Sequence, residues 1–192
     1  MSSIYMAVAS SSGPAARIVT WEAASRCGPA ARPRCSTTAW LLNIPFPAAV
    51  DDAFAAYEDL LTTHHPGAIA LAGDSAGGGL VAALIVRILA AGLPSPACIY
   101  CISPWVDLAN DSRTMALKAD VDPLASQSLL TRMSADYLDG AAASSPLASP
   151  IHADLRSAPP ALIQVGSAEV LLTDSVKLAQ AMRRSPSRSG RI

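Results

Sequence analysis

The stretch Gly73-Asp74-Ser75-Ala76-Gly77-Gly78 decides the fold of this chain. It follows an apolar run at 68–72 and precedes an apolar helical stretch at 79–91. The pattern Gly-x-Ser-x-Gly between a strand and a helix is typical of a nucleophile elbow, a sharp turn that holds the serine Oγ out toward solvent. Because a Cβ group at Gly73 or Gly77 would crowd that turn, glycine suits both positions. The sequence therefore predicts a strand, a tight bend at Ser75 and a helix.

Two neighbours of the serine have separate expected roles. The backbone N–H of Ala76 stands at the start of the helix, where the helix dipole favours developing negative charge, so it is a candidate oxyanion donor. Asp74 lies inside the bend, and we expect it to support hydrogen bonds of the loop rather than the chemistry. The alternative reading of the whole stretch is a glycine-rich helix N-terminus with Ser75 as a capping residue.

Strands and helices alternate over the rest of the chain. Predicted strands lie at 69–72, 97–102 and 161–165, and predicted helices at 48–63, 79–91, 126–138 and 171–184. The segments 110–125 and 144–160 are expected to be mainly irregular. Such alternation predicts an α/β fold with a mainly parallel sheet flanked by helices. Reactive groups should gather beyond the carboxyl ends of the strands.

Composition excludes several classes of protein. The 192 residues suit one domain, and 51% hydrophobic with 15% charged residues excludes general disorder. A net charge of −1 means that the chain lacks the excess positive charge typical of nucleic-acid-binding proteins. No apolar run reaches the roughly 18 residues of a membrane span, and no secretory signal is recognisable. We therefore expect a cytoplasmic protein; the sequence does not indicate its oligomeric state.

The four cysteines do not suggest a disulfide or a metal site. Cys98 and Cys101 lie in one apolar strand, where their odd spacing puts them on opposite faces, and we expect both to be buried free thiols. Cys27 and Cys35 have no histidine or second pair at metal-ligand spacing. A reducing compartment, no metal and no cofactor are the resulting expectations.

Four segments resemble the hormone-sensitive-lipase-like branch of the α/β-hydrolase fold. They are Pro45-Phe46-Pro47-Ala48-Ala49-Val50-Asp51-Asp52, Gly73-Asp74-Ser75-Ala76-Gly77-Gly78, Ile102-Ser103-Pro104-Trp105 and Pro159-Pro160-Ala161-Leu162-Ile163-Gln164-Val165-Gly166. Their order and spacing agree with the family, and the resemblance covers roughly residues 45–184. It implies a partial α/β-hydrolase fold and a carboxylesterase or lipase that acts on a small-molecule ester without a cofactor.

The resemblance also assigns roles to individual residues. In this family a serine attacks the ester carbonyl, a histidine takes its proton and an acid orients the histidine. Ser75 matches the nucleophile. Glu169 matches the acid, since it stands just past the third predicted strand and before an apolar pair. Asp174 is a weaker candidate for the acid, and either carboxylate would also suit the N-terminus of the following helix.

Two parts of the family's machinery are missing from the chain. No His-Gly-Gly-Gly segment precedes the serine to supply further oxyanion donors, and no histidine follows Glu169. His64 and His65 are expected to cap a helix end, and His152 falls where the family has ordinary loop. Impaired ester hydrolysis is the first expectation. The alternatives are an inactive ligand-binding scaffold, as in the plant gibberellin receptors that resemble this family, and a non-functional fragment.

The codons allow an explanation for the missing N-terminal motif. Regrouping each codon's first two bases with the preceding base lets residues 37–45 read Asp-Tyr-Arg-Leu-Ala-Pro-Glu-His-Pro, the family's usual lead into residue 46. The same regrouping, started from the last base of the Tyr5 codon, lets the stretch that begins at Tyr5-Met6-Ala7-Val8 read His-Gly-Gly-Gly. We therefore interpret residues 1–44 as an atypical segment, out of frame or disordered, followed by a partial hydrolase domain at 45–184 and a tail at 185–192. The strand beside the elbow is expected to lack a neighbour.

Overall fold

A five-stranded mixed sheet forms the centre of the protein, with strand order β2-β1-β3-β4-β5. The structure is a computed structural model that describes residues 4–8, 17–21 and 45–183. Its strands are β1 (Ile4–Val8), β2 (Arg17–Trp21), β3 (Ile69–Asp74), β4 (Cys98–Ile102) and β5 (Ala161–Gln164). Its helices are α1 (Ala48–Thr63), α2 (Ala76–Ala90), α3 (Arg113–Leu117), α4 (Gln127–Leu138) and α5 (Leu172–Ala181), with 3-10 turns at Pro66–Ala68 and Pro150–His152.

The parallel half of the sheet matches the expectation from sequence. β3 pairs with β4 in parallel, Ala72 opposite Tyr100, and β4 pairs with β5 in parallel, Tyr100 opposite Leu162. α2 connects β3 to β4, so the first of these pairs is a βαβ unit, which requires such a crossover. The α/β class and the flanking helices are confirmed, and the carboxyl ends of β3, β4 and β5 lie at one edge of the sheet.

The expectation that β3 lacks a neighbour on its other side is wrong. β1 pairs antiparallel with β3, from Ile4 opposite Gly73 to Val8 opposite Ile69, and β2 pairs antiparallel with β1. A strand edge presents unpaired N–H and C=O groups that accept any chain with β propensity. The run Ile4-Tyr5-Met6-Ala7-Val8 is rich in such residues. An element that the sequence could not assign therefore completes the sheet.

α2 is the central element of the core. Its residues Leu84, Ile85 and Ile88 are fully buried, and the helix packs on β3 and β4. α1 covers α2 with a buried face that includes Val50 and Tyr57. Burial of most of α2 fixes the helix whose N-terminus follows the serine, so the position of the site depends on the main core.

The two strand cysteines differ in exposure. Cys101 is buried and Cys98 is exposed, so the prediction of opposite faces is confirmed and the prediction that both are buried is wrong. Successive strand residues alternate between faces, and Cys98 stands at the first position of β4, where little chain covers it. Burial raises the pKa of the Cys101 thiol to about 12, which keeps that thiol protonated and unreactive.

Candidate active site

The chain makes a sharp bend at Ser75. β3 ends at Asp74 and α2 begins at Ala76, so a single residue turns the chain from strand to helix. Ser75 has φ 55° and ψ −118°, and its side chain is half-buried. Backbone of this kind costs a non-glycine residue roughly 1–3 kcal/mol and is found mainly at functional sites. The predicted strand, bend and helix are all present.

Three backbone hydrogen bonds hold the bend: two join it to the end of β4 and the chain that follows, and one is the first bond of α2. Ser75 N donates to Ile102 O at 2.9 Å, and Ser75 O accepts from Trp105 N at 3.0 Å and from Gly79 N at 3.1 Å. Both backbone polar groups of the strained residue are therefore satisfied. The serine backbone is fixed by its neighbours, and within residues 45–183 no hydrogen bond is made by its hydroxyl, which leaves Oγ available.

Glycines allow the chain to pack this closely. A Cβ at Gly73 would lie 2.3 Å from Gly77 O, and a Cβ at Gly79 would lie 2.0 Å from Trp105 O. Both distances are far below van der Waals contact, and both neighbours are backbone atoms that cannot rotate away. The motif predicts glycine at position 73, and the close approach of Gly77 O explains why.

We expect Gly79→Ala to destabilise the fold by about 3 kcal/mol or more, because the added methyl forces the Trp105 backbone away from Ser75. Gly67→Ala is the matched control, since its Cβ would meet only the flexible His65 ring, at 3.1 Å. Urea denaturation of both variants measures the difference. Equal midpoints for the two variants would contradict the close approach.

The N-terminus of α2 points its first amides at the serine. The first hydrogen bond of the helix runs from Gly79 N to Ser75 O, so the N–H groups of residues 76–78 have no carbonyl partner within the helix. The helix is 15 residues long, and its dipole adds partial positive charge at this end. The Ala76 N–H therefore follows Ser75 directly in the chain and has no carbonyl partner within the helix.

Glu169 lies in the loop between β5 and α5, beyond the same sheet edge as Ser75. Its side chain is half-buried, and Oε1 accepts a hydrogen bond from Gly166 N at 2.6 Å. Burial raises the pKa of the neighbouring Asp74 carboxyl, and the negative charge of Glu169 adds to that rise. The Glu169 and Asp74 carboxyl groups are therefore close enough to interact electrostatically.

Asp174 has a different set of contacts. It is fully buried in the first turn of α5, where Oδ2 accepts from Val106 N and Asp107 N, each at 3.1 Å. Asp107 in turn pairs with Lys177 Nζ at 2.8 Å. The Asp174 carboxyl therefore anchors the chain that leaves β4 through Oδ2, while Oδ1 is buried without a hydrogen-bond partner among the described residues.

All three histidines of the chain are described, and all are exposed. His64 ends α1, with Nδ1 at 2.7 Å from Thr63 Oγ1, and His65 Nδ1 accepts from Gly67 N at 3.1 Å. These two residues precede β3 while Ser75 follows it, and a six-residue strand separates its ends by about 20 Å. His152 ends the short turn Pro150–His152. No imidazole in the described part of the chain is hydrogen-bonded to Ser75 or Glu169.

An apolar cleft opens beside the start of α2. It measures about 350 Å³, counting space open to solvent. The lining residues are small or apolar for the most part: Ala76, Gly79, Leu80, Ala83, Trp105, Leu108, Tyr137, Leu147 and Ala148. Since Ala76 is both a wall of the cleft and the residue after the serine, a group attached to Ser75 Oγ has apolar surface within reach.

Sequence reasoning missed the side chains that hold the neighbouring loops. Trp105 Nε1 donates to Asn110 Oδ1 at 2.8 Å, which braces the segment that contacts Ser75. Asp122 and Thr114 bind the backbone of the residue after Glu169. The Asp122-Pro123 pair is typical of a turn, but nothing in the local sequence reveals that Asp122 binds the backbone of Val170.

Neither a metal centre nor a membrane span is present among the described residues. No group of three or more His, Cys, Asp or Glu side chains there is arranged to hold a metal ion. No described helix is both long enough and apolar enough to cross a bilayer.

Comparison with known proteins assigns the family. Residues 43–189 match the family described as "alpha/beta hydrolase fold". The chain is 49% identical over 138 residues to an acetyl-hydrolase of Streptomyces hygroscopicus, covering 71% of this chain and 46% of that protein. It is 35% identical over 138 residues to an esterase of Acinetobacter venetianus, with the same two coverages. The chain belongs to the α/β-hydrolase family, in its hormone-sensitive-lipase-like branch.

Solved structures agree with this assignment. An esterase from the bacterial hormone-sensitive lipase family superposes with a TM-score of 0.71 and 44% identity, covering 72% of this chain and 47% of that one. A hormone-sensitive-lipase homologue, EstE7 from a metagenome library, superposes with a TM-score of 0.70 and 46% identity. The chain spans about half the length of the relatives it matches.

Proposed function

We propose that this chain carries the nucleophile and the acid of a serine carboxylic-ester hydrolase. Ser75 is the nucleophile, the Ala76 N–H is an oxyanion donor and Glu169 is the acid that orients the base. The observation that carries the proposal is the bend at Ser75, whose φ of 55° turns a half-buried hydroxyl out between β3 and α2. The names of the similar proteins, acetyl-hydrolase and esterase, support the same chemistry.

The reaction follows from these positions. Ser75 Oγ attacks the ester carbonyl carbon while its proton passes to a base, and the carbonyl oxygen becomes negatively charged. The Ala76 N–H and the dipole of α2 stabilise that charge. Collapse of the intermediate breaks the bond to the alkoxide, which takes the proton from the base and leaves as the alcohol, and the acyl group stays on Ser75. Water then gives a proton to the base and attacks the acyl carbon, the acid is released, and the proton returns to Ser75 Oγ. The base is the limiting component, because no histidine of the chain stands beside Ser75.

The cleft favours an uncharged, small acyl group. Its walls are formed by the α2 residues Ala76, Leu80 and Ala83 and by Trp105. A charged group would lose hydration there without gaining a partner. We propose esters of short or medium acyl chains as the substrate class.

A second candidate is ligand binding without turnover, and the lack of an imidazole at the site favours it. In that case, an uncharged ester would raise the melting temperature by binding the native state, and the ester would be recovered intact. A ligand-dependent thermal shift combined with no reaction at Ser75 would support this candidate over hydrolysis.

A fluorophosphonate probe, added together with free imidazole as the base that the site lacks, tests the proposal directly, since the probe reacts with an activated serine and stays attached. We expect the intact mass to rise by one adduct and proteolysis to map that adduct to the peptide that contains Ser75. Cooperative melting of the same sample shows that the chain is folded. An unlabelled folded chain, or an adduct on another serine, would contradict the nucleophile assignment.

The proposal extends to the organisation of the chain. We propose that residues 1–44 are encoded out of frame, that residues 45–184 are the hydrolase segment and that the protein is cytoplasmic. The start of the family match at residue 43 supports the first part. The free thiols of Cys98 and Cys101 support a reducing compartment. The cause is either a real frameshift or a sequencing error. DNA resequencing over codons 1–45 is expected to give Asp-Tyr-Arg-Leu-Ala-Pro-Glu-His-Pro over positions 37–45 in the shifted frame, and a different shifted reading would overturn the frame interpretation.

A further inference from the structure

The residue that follows Glu169 is held on both of its backbone groups by one distant segment. Val170 N donates to Asp122 Oδ2 at 2.8 Å, and Val170 O accepts from Thr114 Oγ1 at 2.7 Å. We call residues 113–125 the clasp segment and residues 165–171 the acid loop. The Val170 side chain is fully buried, so this one residue is fixed by its side chain and by both peptide groups.

The clasp segment is itself ordered by the same side chains. Asp122 Oδ1 accepts from Leu124 N at 2.9 Å and from Ala125 N at 3.0 Å. Burial raises the pKa of the Asp122 carboxyl, but the three backbone N–H donors outweigh it and lower that pKa below its usual value. The Asp122 carboxylate is thus charged at neutral pH, and charged acceptors form the stronger hydrogen bonds.

Thr114 ties the clasp segment to the start of α5 as well. Its Oγ1 lies 2.9 Å from Thr173 Oγ1 and accepts from Thr173 N at 3.3 Å. The clasp segment therefore binds the acid loop at Val170 and the first turn of α5 at Thr173. Both attachment points follow Glu169 closely in the chain.

The bonds that Glu169 makes within its own loop cannot set its position relative to Ser75. Glu169 Oε1 accepts from Gly166 N at 2.6 Å, and Glu169 N donates to Gly166 O at 3.3 Å. These bonds shape the loop but move with it. Because neighbouring Cα atoms are 3.8 Å apart, a displacement of Val170 passes directly to Glu169.

We propose that Thr114 and Asp122 are positioning residues for Glu169: by holding the backbone of Val170, they place the acid of the site. The inference rests on the proposed role of Glu169 in ester hydrolysis. Neither side chain touches the reacting groups, so each acts only through the acid loop.

The chain offers a direct spectroscopic test, because it contains only three glutamates, Glu22, Glu58 and Glu169. Selective ¹³C labelling of the glutamate carboxyl groups gives three resonances, and Glu169→Gln assigns one of them. We expect Thr114→Val to move the Glu169 resonance, because a displaced acid loop changes the separation between the Glu169 and Asp74 carboxyl groups, which lie close enough to interact. Thr114→Ser keeps the hydroxyl and is expected to restore the wild-type position.

Two controls separate positioning from general destabilisation. Thr62→Val removes a similar bond, from Thr62 Oγ1 to Asp59 O at 2.6 Å, and is expected to leave the Glu169 resonance unchanged. Asp122→Asn removes the charge without changing the shape, and we expect it to move the same resonance, whereas Asp154→Asn at an exposed turn does not.

A folded Thr114→Val or Asp122→Asn chain with an unmoved Glu169 resonance would overturn the positioning role. If Thr114→Val does not fold, Asp122→Asn decides the question alone. Failure of the wild-type chain to react with the fluorophosphonate, with Glu169 still responding to both substitutions, would instead overturn the proposed function and leave the positioning geometry intact.

Discussion

Free imidazole is expected to accelerate cleavage of p-nitrophenyl acetate by this chain, and Ser75→Ala is expected to abolish that acceleration. The chain has no histidine beside Ser75, so a diffusible base can take the serine proton. We expect a Ser75-dependent gain of about tenfold or more, below the roughly 10²–10⁴ that a positioned general base supplies. The measurement is the initial rate against imidazole concentration, with buffer rates subtracted.

The same experiment predicts how the defects combine. Without imidazole, Ser75→Ala should change the rate little, because members of a triad act as a unit and the loss of one hides the loss of another. Ser167→Ala, at an exposed serine in the acid loop, is the matched control and should keep the full imidazole response. An imidazole response of equal size in the Ser75→Ala chain would remove the assigned nucleophile.

Asp174 is expected to make the protein less stable as the pH rises from about 4 to about 7. Burial, followed by repulsion from Asp107, raises the pKa of the Asp174 carboxyl to about 7, although the Val106 and Asp107 amides and Lys177 oppose the rise. The native state then binds a proton that the unfolded chain, with a pKa of about 3.9, has released. This contribution to the unfolding free energy is fully present below about pH 4 and is lost as the pH rises to about 7. Its size is on the order of 4 kcal/mol, because each unit of pKa difference is worth about 1.4 kcal/mol.

The Asp174→Asn variant isolates this effect, because its amide oxygen can still accept from the Val106 and Asp107 N–H groups. As the pH rises from 4.5 to 7.5, the unfolding free energy of the wild type should fall relative to that of Asp174→Asn. Asp136→Asn, at an exposed position on α4, controls for the loss of one charge. Parallel stability profiles of wild type and Asp174→Asn across this range would contradict the raised pKa.

The elbow was predictable because its signal is local. A glycine at position 73, an apolar run before it and an apolar helix after it suffice to require the bend at Ser75, and the structure adds only the contacts that explain it. The strands β3, β4 and β5 were recognised for the same reason: each is a short apolar run bounded by turn residues. Their boundaries differ from the predicted ones by a few residues, as element ends fray.

The parts that escaped prediction depend on distant partners. The pairing of β1 with β3 is set by the open edge of β3, which the residues of β1 do not reveal. In the sequence, Asp122 and Thr114 look like ordinary residues of a loop and a short helix. Their role depends on contacts with Val170, which only the folded chain forms. The sequence suggested two roles for Asp174, as the acid of the site or as a charge at a helix N-terminus. Its hydrogen bonds to the Val106 and Asp107 backbone show a third role, which is to anchor the chain that leaves β4.

The crystal structure of the phosphonylated chain is the most direct test of the proposed site. We expect electron density that joins phosphorus to Ser75 Oγ, with a phosphoryl oxygen within hydrogen-bond distance of the Ala76 N–H and the remaining substituent in the apolar cleft. Density on a different side chain, or an adduct whose oxygen faces away from the start of α2, would contradict the account.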